Sequence, residues 1–252
     1  MLLLAPHEGV TGGQVFRYAL TAAAQTEALA DYADRLGLKR LAILHPDSRA
    51  GDLFAELFQG AVERYGGQVL ARRSYPAAAV DLRKELQALA ADARHGSGPE
   101  ALFLPDAAHQ VAQIIPQLGF SRLDQLQLLG TSAWNDPDLA RMAGPLSEGA
   151  VFVDGFFAGS PWPEVRDFVA RYQEAYGMPP SILAAQGYDV GRLLLHLLGR
   201  SQARERQALR HALATQRDFH GVTGFTRFGP QGEAVQTLFL LQVQDGSVVQ
   251  IN

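Results

Sequence analysis

Arg40-Leu41-Ala42-Ile43-Leu44-His45-Pro46-Asp47-Ser48-Arg49-Ala50-Gly51 is the stretch on which the fold turns. Leu41 to Leu44 form an apolar run without polar alternation, and it stops at His45-Pro46. Beyond the polar loop, Leu53, Phe54, Leu57, Phe58, Ala61 and Val62 recur at helical spacing. A strand apolar on both faces, then a polar loop, then an amphipathic helix, is one β-α step of a parallel sheet covered on both sides. In such sheets ligands sit beyond the carboxyl ends of the strands, so His45 to Ala50 mark where a function is to be sought.

Working outward, Gln68 to Tyr75, Ala101 to Leu104 and Gln127 to Gly130 read as further strands. Between them Asp81 suits the N-cap of a helix running to about His95, and Ala107 to Leu118 reads as helical. Strands alternating with helices from residue 40 to 143 predict an open, doubly wound α/β lobe. Its strand ends carry His45-Asp47-Ser48, Asp106 and Ser132-Trp134-Asn135. Upstream, Leu2 to Ala5 reads as a strand, His7 to Gly13 as a Gly-rich loop, and Thr21 to Leu36 as a helix closed by Gly37. Downstream lie an extended apolar stretch, Ala150 to Phe157, and helices near 162–176, 181–199 and 203–216. The tail is β again, with Gly224 to Phe228, then Thr237 to Gln244 and Val248 to Ile251 joined through Asp245-Gly246, a hairpin signal. The helices from Trp162 to Gln216 find only Leu2 to Ala5 and Val151 to Phe157 as strands, which predicts a partial lobe, truncated at its N-terminal side.

The totals narrow the function classes. The chain has 252 residues and a net charge of -4, with basic residues scattered among acidic ones. Nucleic acid is therefore not an expected partner, because a phosphate-binding face needs clustered Lys and Arg. Without cysteine there are no disulfides, thiolate metal sites or Cys nucleophile. No apolar run is long enough to span a bilayer. Met1 to Pro6 lacks the basic region and length of a secretory signal, and a chain that opens in mid-strand reads as part of a longer protein. No GxSxG elbow, P-loop or GxGxxG follows a strand, so a non-catalytic role is expected. His7, His45 and His109 show no HxxxH or paired-carboxylate spacing, and neither metal nor cofactor is expected.

Val15-Phe16-Arg17, Arg40 to His45 followed by Gly51, Leu129-Gly130-Thr131-Ser132, Glu148-Gly149-Ala150-Val151, Ala185-Gln186-Gly187-Tyr188-Asp189, and Gly221-Val222-Thr223-Gly224 with Phe228 and Gly232 occur in a telling order. In that order and spacing the chain resembles the type I periplasmic solute-binding proteins of the branched-chain amino-acid receptor kind, over almost its whole length. The resemblance implies two α/β lobes that close over a ligand in a cleft. It places residues 1–17 and 153–221 in a partial first lobe, and 18–152 with 222–252 in the second, the latter carrying the C-terminal hairpin. Leu129 to Asn135 together with Glu148 to Phe157 also resemble the penicillin-binding-protein activator lipoproteins, which share the fold and stimulate peptidoglycan synthases.

Amino-acid receptors of this family hold the ligand carboxylate with hydroxyls and N–H groups of the first lobe. They hold the ammonium with an acid of the second, and an aromatic ring packs on the ligand. Carried onto this chain, the resemblance implies ligand-binding roles for His7, Glu8, Asp47, Ser48, Asp106, Ser132, Trp134 and Asn135. It departs from the family at Ala50, Ala107 and Ser132, where two aromatic positions and one acidic position are replaced. The expected ligand is small, polar and amino-acid-like. The expected partner is the membrane part of an ABC transporter, with a peptidoglycan synthase as the alternative that the three replacements favour. The implied location is the periplasm, with an outer-membrane lipoprotein as a variant of it. At the level of single residues a plainer reading stands beside each role. Asp47, Ser48 and Asp106 suit helix caps, Trp134 suits packing, and Tyr188-Asp189 suits a structural place on its helix.

Overall fold

The structure is a computed structural model that describes residues 2–4, 15–93, 97–136, 138–200, 205–217 and 219–252. In chain order come β1 (Leu2–Leu3), β2 (Phe16–Arg17), α1 (Ala22–Arg35), β3 (Arg40–Pro46), α2 (Arg49–Arg64), β4 (Gln68–Tyr75) and α3 (Arg83–Asp92). Then follow β5 (Ala101–Phe103), α4 (Ala108–Ile114), β6 (Gln127–Gly130), α5 (Asp138–Ala143), β7 (Val151–Asp154), α6 (Pro163–Tyr176), α7 (Ile182–Arg200) and α8 (Arg206–Thr215). Five strands close the chain: β8 (Phe219–Gly221), β9 (Gly224–Phe228), β10 (Ala234–Gln236), β11 (Phe239–Gln244) and β12 (Ser247–Gln250). The chain divides into two compact units, Met1–Ala24 with Gly155–Phe239 and Gln25–Asp154 with Leu240–Asn252.

The second unit is built on a sheet of order β12-β11-β7-β6-β5-β3-β4. The four pairings from β4 through β3, β5 and β6 to β7 are all parallel. Leu41 to Leu44 are at most 1% exposed, as an unalternating strand in a doubly covered sheet must be. Helix α2 turns Ala55, Phe58, Ala61 and Val62 onto this sheet, and Phe58 stacks on Phe103 of β5 at 4.2 Å between ring centroids. Gly51 is set by the return of the chain, since a Cβ there would lie 2.2 Å from the carbonyl oxygen of Pro46. At the far edge β11 and β12 form the antiparallel hairpin expected from Asp245-Gly246. Both turn residues have positive φ, 51° and 70°, as a two-residue turn matched to strand twist requires.

Two helix expectations shift. The third helix starts at Arg83 with Leu82, buried, in the capping position, so Asp81 is not the N-cap. Its carboxylate still accepts the Arg83 N–H at 3.1 Å. The helix after β5 is regular only to Ile114 and then tightens into 3-10 turns over Ile115–Ser121. Pro116 has no N–H to give to the α pattern, and its ring opposes the preceding turn.

The first unit holds β1 and β2, paired in parallel, and an antiparallel sheet of order β10-β9-β8, with α6, α7 and α8. The division differs from the sequence reading at three places. Residues 18–24, expected in the second lobe, fall in the first unit. Val151–Asp154, expected to serve the helices of the first lobe, instead pairs with β6 inside the large sheet. The tail from residue 222 is split, with 222–239 in the first unit and 240–252 in the second. The split follows backbone pairing. β9 bonds to β8 and β10, whereas Val243 donates its N–H to the Ala150 carbonyl at 3.0 Å and accepts that of Gly149 at 2.9 Å.

Candidate functional site

Because β4, β3, β5, β6 and β7 run parallel, their carboxyl ends finish along one edge of the second unit. Beyond β3, Asp47 is exposed, and its N–H donates to the carbonyl of Tyr75 at 2.7 Å, tying the ends of β3 and β4 together. Ser48 has extended backbone, φ −157°, and its Oγ accepts the Gly51 N–H at 3.1 Å. It is thus the N-cap of α2, and its hydroxyl proton is left to donate.

Beyond β5, Asp106 accepts the Tyr75 hydroxyl at 2.5 Å and the Ala107 N–H at 2.7 Å. The Tyr75 side chain comes from the sheet-edge strand β4 and reaches across the end of β3 to do so. Burial, and then the bond to Asp106, push the phenol pKa upward, so the hydroxyl stays a donor. Tyr75 carried no signal in the sequence beyond its place as the last residue of a strand.

Beyond β6, the Ser132 N–H donates to Oε1 of Gln25 at 2.8 Å, and Asn135 Nδ2 donates to Oδ2 of Asp154 at 2.8 Å. Ser132 and Asn135 are half-buried. Trp134 is different. Its ring is 0% exposed, its indole N–H donates to the Leu104 carbonyl at 3.1 Å, and it lies over Gly130, where a Cβ would be 2.1 Å from the ring. No face of the indole is left for a ligand, so the ligand-binding role expected for Trp134 gives way to packing.

The structure therefore brings Asp47, Ser48, Asp106, Ser132 and Asn135 to one edge, with Tyr75, Gln25 and Asp154 holding them. His7 and Glu8 lie outside the described residues. His45, at the base of this edge, is 3% exposed; Arg72 Nε donates to its Nε2 at 3.2 Å, while Nδ1 lies 3.1 Å from the Pro46 carbonyl. That pattern is met by a neutral ring protonated at Nδ1, and burial lowers its pKa accordingly. Among the described residues no group of three His, Cys, Asp or Glu is placed to hold a metal ion. What the edge offers is hydrogen bonding and the exposed carboxylate of Asp47, which is equipment for holding a polar molecule. Among the described residues no helix is long and apolar enough to cross a membrane.

A family model described as periplasmic binding protein matches residues 4–247. Among solved structures, one from Rhodospirillum rubrum, assigned to a branched-chain amino acid ABC transporter, is 30% identical with a TM-score of 0.85. The match covers 94% of this chain and 67% of that one. A leucine-binding protein from Thermotoga maritima is 24% identical with a TM-score of 0.71, again over 94% and 67% of the two chains. An ABC-transporter solute-binding protein from R. palustris, in complex with benzoate, is 22% identical with a TM-score of 0.68, over 94% of this chain and 64% of that one. The chain thus spans about two thirds of the length of these structures. No curated protein sequence matches it. The peptidoglycan-synthase alternative finds no support in these relatives.

Proposed function

Since this chain belongs to the periplasmic binding protein family and is a solute-binding domain of the amino-acid receptor type, we propose that it holds a small polar ligand at the carboxyl edge of its second unit and delivers it to an ABC importer from the periplasm. The observation that carries the reading is the convergence of polar side chains from three separate loops, 47–48, 106 and 132–135, on that one edge. Asp47 is the group available to an ammonium, because it is exposed, whereas Asp106 already accepts two hydrogen bonds. Ser48 and Ser132 supply hydroxyls. In this reading the ligand is held and released without chemical change. Leucine-type amino acids and benzoate are the probes to try, as ligands of relatives with the same fold.

Calorimetric titration with leucine, isoleucine and benzoate tests this. One of them should bind and raise the melting temperature, since a ligand of the native state stabilises it by mass action. If an amino acid binds, Asp47→Asn should weaken it about tenfold or more and Ser132→Ala by up to about tenfold, as loss of a hydrogen bond to a charged and a neutral group respectively. NMR of the recovered ligand should show no chemical change. No binding by any probe, or full affinity in both variants, sinks the assignment of this edge.

A further inference from the structure

The first unit contains a cavity of about 520 Å³ that the solute site does not use. Its floor is Phe16 and Phe228, 5% and 2% exposed, meeting edge to face at 5.3 Å. Arg210 of α8, Arg217 beyond that helix and Arg227 of β9 line its walls, and among the described residues no Asp or Glu lines it. The wall made by the turn after β9 is held in place by backbone. Gly229 donates its N–H to the Glu233 carbonyl, and Gly232 accepts that of Arg17, both at 2.8 Å. Gly232 has φ +87°, and a Cβ there would lie 2.7 Å from the Val15 carbonyl, so this close approach to β2 requires glycine.

Three arginines, from α8, the segment after it and β9, thus line one concavity in a chain of net charge -4. Among the described residues neither Arg217 nor Arg227 has a carboxylate within ion-pair distance. Guanidinium forks match the oxygens of carboxylate and phosphate, and like charges gathered in a concavity raise the local concentration of anions. Ala214, Pro230 and Val235, exposed on the lining, add apolar surface for a carbon body, and the volume lies within the ~300–1,000 Å³ usual for small-molecule sites. We propose that this cavity binds a small molecule carrying two or more oxyanion charges on a carbon body, either a polycarboxylate or a phosphate ester.

The test is calorimetric titration of the whole chain at low salt with citrate, phenyl phosphate and acetate. Citrate or phenyl phosphate should bind at least about tenfold tighter than acetate, and the affinity should fall as salt is added. Binding of only one of the two identifies the source of the oxyanions. Arg217→Ala and Arg227→Ala should each weaken binding about tenfold or more, as removal of a charge-assisted contact does. Both side chains are on exposed residues, so the variants should keep the parent circular dichroism. Arg35→Ala removes the same charge from α1 of the second unit and should leave binding as it was. Absence of binding below about 5 mM for both polyanions, or an equal loss in Arg35→Ala, overturns the proposal. Neither outcome bears on the solute site, which uses other residues.

Discussion

At the scale of single residues, the edge of the sheet separates side chains that the sequence presents as equals. Ser48, Asp106 and Trp134 all follow a strand, and all are types that bind ligands or build turns. Only geometry shows that Ser48 caps α2, that Asp106 is already committed to Tyr75, and that Trp134 is walled in. Cap preference in sequence pointed to Asp47, Ser48 and Asp106 alike, yet of the three only Ser48 caps a helix, and the N-cap of α4 is Ala107. Sequence had the same limit beyond the loop. It had no means of finding Tyr75, whose partner lies 31 residues away across an intervening strand. Gly130 shows the same limit, since its need to lack a side chain comes entirely from the indole folded back over it. Gly130→Ala should displace Trp134 and cost about 1–3 kcal/mol, the usual penalty of overpacking, read as a lower denaturation midpoint with a red-shifted tryptophan emission. Tyr75→Phe removes one hydrogen bond to a carboxylate while keeping the ring. It should cost about 1–3 kcal/mol by denaturant titration, with the near-ultraviolet dichroism otherwise preserved.

At the scale of elements, two motifs that recur apart in the sequence turn out to be one cluster. Asp189 of α7, fully buried, accepts the N–H groups of Val222 and Thr223 at 2.9 and 2.8 Å and the Thr223 hydroxyl at 2.7 Å. Gly221 lets the turn between β8 and β9 come this close, for a Cβ there would meet the Asp189 carboxylate at 2.2 Å. The plain structural reading of Asp189 was open to sequence; its partners were not, because nothing local links residue 189 to residues 221–224. The pairing of β3 with β4 carries a pH dependence of definite sign. His45 is held neutral by burial, with Arg72 donating to it, so its folded pKa lies below the ordinary 6.5. The unfolded chain therefore binds the proton first, and stability rises with pH through this window. The contribution is present in full above about pH 6.5 and is lost as pH falls through the lowered folded value. Denaturant midpoints at about pH 7.5 and 5.5 should differ in the parent more than in His45→Gln, which has no imidazole to charge. Equal differences in the two proteins would show that His45 is not the group responsible.

At the scale of the whole molecule, the doubly wound lobe was legible because each β-α step declares itself by apolar run, loop and amphipathic helix. The partition of the chain was not, because it is decided by which strand Val151–Asp154 and Phe239–Gln244 bond to, and an apolar run fits any sheet. With the pairing known, the two units differ in kind. The second is organised on seven strands whose central members are covered on both faces. Among the described residues the first has sheets of two and three strands, and α7 leaves Leu183 and Leu195 62% and 74% exposed. Backbone hydrogen bonds deep in a large covered sheet open only with global unfolding, whereas those of small sheets near solvent open locally at lower cost. Hydrogen exchange followed by mass spectrometry should therefore find the slowest amides at residues 101–104 and 128–130 of the second unit. Those of β9 and β10 should exchange faster by a factor of about ten or more, which corresponds to a difference in opening free energy of at least about 1.4 kcal/mol. Protection of β9 and β10 equal to that of β5 and β6 would mean that the small sheets unfold only together with the large one, and that the two units form a single cooperative body.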